Sequence, residues 1–227
     1  MSLDNKQKIY SDLHSSFIDK ITQNKRMEIL KVISNYLKND VLQDVLDIGT
    51  TQDIESSASN YIIKNLKGFK IYKSISDQEI NTSFFAKKLK KSITVDFSKS
   101  ELDEFKSDLV ISNATIEHVG SFENQIKMCS NIMSLSKKYF IIMTPNRFHP
   151  LEFHTKIPII HWLPKKFYRM ILRFFGLKFF ANEKNLNLLS EFDLRSIMKK
   201  NNQINYEIKF INFFFIKSNL ILIGEKN

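Results

Sequence analysis

Several apolar runs in this sequence end on residues able to hold a polar ligand. The run DVLDI carries Asp47 and is followed by Gly49, Thr50 and Thr51. Gly49 permits a tight turn and a close backbone approach to a ligand. Asp47 can meet an ammonium group, directly or through water. Thr50 and Thr51 can offer hydroxyls or amides to a carboxylate. Such a set suits a ligand that joins an amino-acid tail to a nucleoside. The same residues also suit an ordinary strand-to-helix turn with Asp53 as its N-cap. The later glycines of a dinucleotide fingerprint are missing.

Asp77 follows the second run, somewhat past the ~20-residue offset of a ribose-binding acid. It can accept from both ribose hydroxyls or cap a helix. Asp96 and Phe97 follow a third run. The carboxylate can accept from an exocyclic adenine amine while the ring covers the base, and again a cap or turn is the alternative. Asn113 and Ala114 close the run DLVIS, and Glu117-His118 comes just after. His118 can serve as a general base near neutral pH, line a pocket, or be structural. His149, His154 and His161, with Glu152, lie in one aromatic and basic segment. Their spacing matches no helical metal pair, so the expectation is no metal and loop histidines that line an acceptor pocket or pack.

These residues need strands that end beside one another. Hydrophobic spacing predicts helices over 18–37, 53–66 (closed by Gly68), 117–135 and 186–200, the last with Ser190 as a possible N-cap for its second half. It predicts strands over 41–48, 69–75, 92–95, 108–112 and 139–143, and leaves 77–91 open between helix and loop. Two closing strands, 204–215 with a bend near Asn212 and 219–224, have no helix between them and read as an antiparallel hairpin. The alternation predicts an α/β, Rossmann-like open sheet of about seven strands, mostly parallel, with helices on both faces. Ligands in such sheets sit outside the carboxyl ends of the strands.

The 227 residues suit one domain spanning 1–227, with 146–185 as an insertion or lid within it. The net charge is +10, and no zinc-finger spacing, RNA-recognition signature or basic tail accompanies it. Nucleic acid is therefore not the expected partner. Cys129 is the only cysteine, which excludes an internal disulfide and fits a reducing compartment. No apolar leader and no run near ~18 apolar residues is present, so the expected location is cytoplasmic. The stretch 162–180 interleaves Lys and Arg with Trp and Phe. It suits a lid whose aromatic face packs inward, or a helix lying on the anionic inner membrane face.

The run SDLVISNATIEHVG resembles the post-strand-four signature of class I S-adenosylmethionine-dependent methyltransferases of the type-11 group. VLDIG and TPN match the same group at its spacing, and the resemblance runs from about Met27 to the C-terminus. EFHTKIPIIHWLP and FFANEKNLNLL resemble a bacterial subgroup with a reduced glycine loop. The resemblance implies methyl transfer from S-adenosyl-L-methionine to a small-molecule or lipid- or saccharide-linked acceptor. It implies that Asp47, Gly49, Asp77 and Asp96 hold the cofactor and that the backbone of Asn113 and Ala114 lines its methionine end. It places His118 near where donor and acceptor meet. A catalytically degenerate binding protein on the same fold is the alternative, since two loop glycines are lost.

Overall fold

A computed structural model describes residues 16–53, 59–201, 205–213 and 215–226, with side chains from residue 23 onward. β1 (Asp44–Ile48) is buried at every position because both its faces are covered. Alternation along the strands divides the apolar side chains between two layers. Leu46, Ile48, Val110, Phe140 and Ile142 point to one face. There they pack on Met128 and Ile132 of α4 (Phe122–Leu135) and on Leu194 and Ile197 of α6 (Glu191–Lys200). Val45, Leu109, Ile111 and Ile141 point to the other face. That face meets Ile29 and Ile33 of α1 (Ser16–Leu37) and Ile62 and Ile63 of α2 (Tyr61–Asn65).

The remaining strands are β2 (Ile71–Ser76), β3 (Lys87–Lys90), β4 (Ser107–Asn113), β5 (Ser136–Pro145), β6 (Asn205–Phe213) and β7 (Ile216–Glu225). They form one seven-stranded sheet in the order β3-β2-β1-β4-β5-β7-β6. Every pairing from β3 to β5 is parallel, and β7 runs antiparallel to both β5 and β6. The expected sheet and its closing hairpin are both present. The bend expected near Asn212 is a register shift between Ile211 and Asn212. Strand order reverses between β1 and β4, so the loops leaving them diverge and leave a crevice at their carboxyl ends.

Four local expectations need correction. The third strand is Lys87–Lys90, not 92–95. The amide of Asn131 on α4 donates to the carbonyls of Ile93 (2.6 Å) and Val95 (2.8 Å) and holds that stretch in a turn. The strand itself reads KKLK, a lysine-rich edge with little strand propensity of its own. The helix expected from 117 begins at Phe122, because Gly120 at φ 95° interrupts the chain and Ser121 caps the new start. The preceding Ile116–His118 is a single 3-10 turn. The helix expected from 186 begins at Glu191, where Ser190 and Asp193 form a capping box. Of the helix expected over 53–66, Tyr61–Asn65 is seen, and 54–58 lies outside the described residues.

Residues 146–185 leave β5 and, with Leu186 and Leu188 just beyond them, hold a small core apart from the two main layers. Tyr168 and Leu172 of α5 (Lys165–Phe174) pack there on Phe180, Ala181, Leu186 and Leu188. No helix among the described residues is long and apolar enough to cross a membrane.

Candidate functional site

At the carboxyl end of β1 the chain turns on Gly49, whose φ is 87°. A Cβ there would lie 2.2 Å from the Thr115 hydroxyl oxygen. Only glycine fits, because the loop after β4 crosses directly over the turn. Ala114 in that loop also has positive φ, 52°, and its N–H donates to the Met143 carbonyl at 2.9 Å. Two such backbones side by side mark the switch point of the sheet. Ala114 is exposed and Asn113 half-buried.

Asp47 does not face this crevice openly. Its carboxylate is buried and accepts from the Thr50 hydroxyl at 2.5 Å. Ser74 donates to Thr50 Oγ1, and Ser76 donates to the Thr50 carbonyl, each at 2.7 Å. Burial pushes the Asp47 carboxyl up to about 6, although the Thr50 bond opposes the rise. Thr51 is exposed, and the amide of Asn60 accepts from its N–H and donates to its carbonyl, both at 3.0 Å. Asn60, a left-handed residue, is the N-cap position of α2, so Asp53 does not hold that place.

Asp77 is exposed directly after β2, beside the Gly49 turn. No helix follows it, which removes the capping alternative. Asp96 is 90% exposed and ion-paired with Lys127. It caps nothing either: Ser98 caps α3 (Lys99–Phe105) in a capping box with Glu101. Lys127 holds the Asp96 carboxyl below its usual range. Phe97 packs partly on the core, with the Lys91 ammonium 4.8 Å from its ring centre.

On the other side of the crevice, buried polar groups interlock. The Asn187 side chain donates to the Gly120 carbonyl (2.8 Å) and its N–H to the Glu117 carbonyl (2.7 Å). Buried Gln125 donates to the carbonyls of Ile116 and Asn187. These bonds hold the 3-10 turn that presents Glu117 and His118. The Glu117 carboxylate is fully buried. Thr144 donates to Oε2 at 2.9 Å, while Oε1 has no partner among the described residues. Burial raises its pKa above the usual range, against the pull of His154 and Thr144.

His118 Nδ1 meets the Asn185 carbonyl at 2.6 Å, and its Nε2 faces His154 Nε2 at 3.2 Å. His154 Nδ1 meets Glu152 Oε1 at 2.7 Å. Burial alone would raise the Glu152 carboxyl, but the His154 ring and bonds from His154 and Thr155 hold it down at about 2. Burial alone would lower His154, and the Glu152 and Glu117 carboxylates outweigh that and raise it.

The three histidines of the insertion therefore part ways. His154 reaches His118. His149 stacks on Phe153 at 4.9 Å, and its carbonyl accepts from His161 Nε2 at 2.7 Å. His149 and His161 are buried, and the His149 ring also meets Phe213 of β6 edge-on at 5.8 Å. Glu117, Asn185 and Asn187 carry no role in the sequence reading, and Glu152 enters it only beside the histidines of the insertion. Along α5, Tyr168 and Leu172 face inward, whereas Phe167, Met170, Phe174 and Phe175 are exposed beside Lys166 and Arg173.

No family model and no curated sequence matches the chain. Solved structures do. Magnesium protoporphyrin IX methyltransferase from Synechocystis PCC 6803, crystallised with bound S-adenosylmethionine, superposes with a TM-score of 0.55 at 15% identity. The match covers 99% of this chain and 90% of that one. The N-methyltransferase NodS from Bradyrhizobium japonicum WM9 gives 0.53 at 11% identity, over 90% of this chain and 96% of that one. The small RNA methyltransferase HEN1 gives 0.55 at 13% identity, over 88% of this chain and 25% of that one. The likeness is one of fold: a Rossmann-like methyltransferase sheet with its antiparallel closing hairpin.

Proposed function

We propose that this chain is a class I methyltransferase that takes its methyl group from S-adenosyl-L-methionine, as the type-11 resemblance implies. The observation that carries the reading is the Gly49 turn at the switch point of a methyltransferase-type sheet, with Asp77 exposed beside it. The donor set suits the cofactor. Asp77 is placed to accept from ribose hydroxyls. Asp96 is placed to accept from the adenine amine once Lys127 gives way, and Phe97 to cover the ring. The turn at Gly49, Thr50 and Thr51 and the backbone of Asn113 and Ala114 line the methionine end. Asp47, already bonded to Thr50, acts on this turn by holding it, or through water. The reduced glycine loop is supported by Asn60, whose amide takes up the turn's backbone groups.

When bound, the cofactor supplies a methyl group on an activated sulfonium. The chain's part is to hold an acceptor in line with it, and positioning alone carries a large share of the rate. His118 is held at Nδ1 by the Asn185 carbonyl and faces His154 through Nε2, so it serves the acceptor pocket as half of a His118–His154 pair rather than as a lone base. The protein is one domain with 146–185 as a lid over this side. His149 and His161 shape that lid, and His154 is its contact with the pocket. A crystal soaked with S-adenosylhomocysteine tests the assignment. Density between Gly49, Asp77 and Asp96 is expected, and density elsewhere would remove these residues from the site.

The acceptor is a small molecule or a lipid- or saccharide-linked one, and nucleic acid is not its class. The exposed aromatic and basic face of α5 favours a lipid-linked acceptor presented at the inner membrane face of a cytoplasmic protein. Flotation with anionic vesicles checks this: the parent should float, and Phe174→Glu should float less. Equal flotation of both, or none, contradicts it.

A further inference from the structure

The histidine pair has a polarity problem that points to a ligand. The Asn185 carbonyl can only accept, so His118 Nδ1 carries a hydrogen. Glu152 accepts from His154, so His154 Nδ1 carries one too. Each neutral ring then turns the lone pair of its Nε2 toward the other, across 3.2 Å. Two facing lone pairs need a positive centre between or beside them. A shared proton is one answer. A second observation favours a larger charge. The fully buried Glu117 carboxylate has an oxygen without a partner among the described residues, and a Glu117 oxygen, a His118 nitrogen and a His154 nitrogen all lie within 4.8 Å of one another.

We infer that Glu117, His118 and His154 form a binding site for a first-row divalent transition metal. Two imidazoles with one carboxylate match the ligand softness of zinc, cobalt or iron rather than magnesium or calcium. The spacing fits: nitrogens at ~2.0–2.1 Å from a tetrahedral metal lie about 3.3 Å apart, close to the 3.2 Å between the two Nε2 atoms. The outer partners fit as well. Each ring's other nitrogen donates to a carbonyl or carboxylate, the arrangement that orients metal-ligating histidines. Thr144 steadies the Glu117 carboxylate through Oε2. Three protein ligands leave a fourth position for water or an oxygen of the acceptor.

The expectation of no metal rested on spacings inside the 149–161 segment. The site instead joins His154 to His118, 36 residues earlier, and leaves His149 and His161 out. The inference stands on the geometry of the triad and does not require methyl transfer.

The test uses the untagged, chelator-stripped full chain and cobalt(II) or zinc(II) alone. One equivalent of cobalt should bind and show the visible absorption of a low-coordinate nitrogen–oxygen site, and zinc should displace it. His154→Gln should abolish this spectrum. Glu117→Gln, nearly identical in shape, should weaken binding at least about tenfold. His149→Gln should leave it intact, and thermal melts by circular dichroism check that each variant folds. Absence of stoichiometric uptake by the folded parent, or an unchanged cobalt spectrum in folded His154→Gln, would overturn the site. Cofactor binding is measured separately. Cobalt uptake without it would keep the metal site and remove the methyltransferase reading, and the reverse would do the opposite.

Discussion

The two sides of the crevice hold their polar groups in opposite ways. On the β1–β2 side, Asp77 and Asp96 project outward, and the turn is steadied by short-range bonds from Thr50 and Asn60. On the β4 side, Glu117 and Glu152 are buried, and Glu117 and His154 meet Thr144 and His118, 27 and 36 residues away in sequence. The exposed side can be desolvated by a ligand at modest cost. The buried side has already lost its water and must be satisfied by the fold or by something bound. The open half thus suits a cofactor that comes and goes, and the closed half a fixed acceptor wall.

Substitutions can break this contrast. The largest loss is expected at the buried wall. Glu152→Ala leaves the His154 ring without its carboxylate and should cost about 3–5 kcal/mol in urea unfolding. A loss below about 1 kcal/mol would show that the wall is not held by this pair. Gly49→Val should cost about 2–5 kcal/mol, combining left-handed strain with overpacking on Thr115. Adding Thr115→Gly should recover only the packing part, since φ stays near 87°. Full recovery would mean that backbone strain at the turn is negligible.

Asp47 tests the boundary between the two sides. Its folded pKa, about 6, lies above the unfolded value of ~3.9. The folded state therefore binds the extra proton, and stability falls as pH rises from about 4 to 6. Asp47→Asn removes that fall. Its stability relative to the parent should rise by up to about 3 kcal/mol between pH 4 and pH 7, read from denaturant midpoints at both. A constant difference would place Asp47 in contact with solvent. The smallest structural effect is expected at Asp96. Asp96→Ala should leave the melting temperature unchanged, since its partner Lys127 is also at the surface. It should still weaken S-adenosylhomocysteine at least about tenfold, the usual worth of a charge-assisted hydrogen bond. Unchanged affinity would remove Asp96 from the site.

The open side was also the legible side. Gly49 and Asp77 follow apolar runs whose period marks strands, so their place at strand ends could be read directly. The third strand could not, because KKLK carries no apolar alternation and the favourable run 92–95 is drawn into a turn by Asn131. The closed side was hidden for a different reason. The 186–190 segment, which reads as helix, is instead held open by Asn187, which bonds the turn at 116–120 that carries His118. No local period encodes such a clamp. Capping signals did survive: Ser190 heads its helix as its spacing implied.

If the open half holds S-adenosylmethionine, calorimetric titration of the full chain with S-adenosylhomocysteine should reveal it. One site per chain is expected, with a Kd on the order of micromolar, weakened in Asp96→Ala and abolished in Gly49→Val. No binding at millimolar ligand would contradict it.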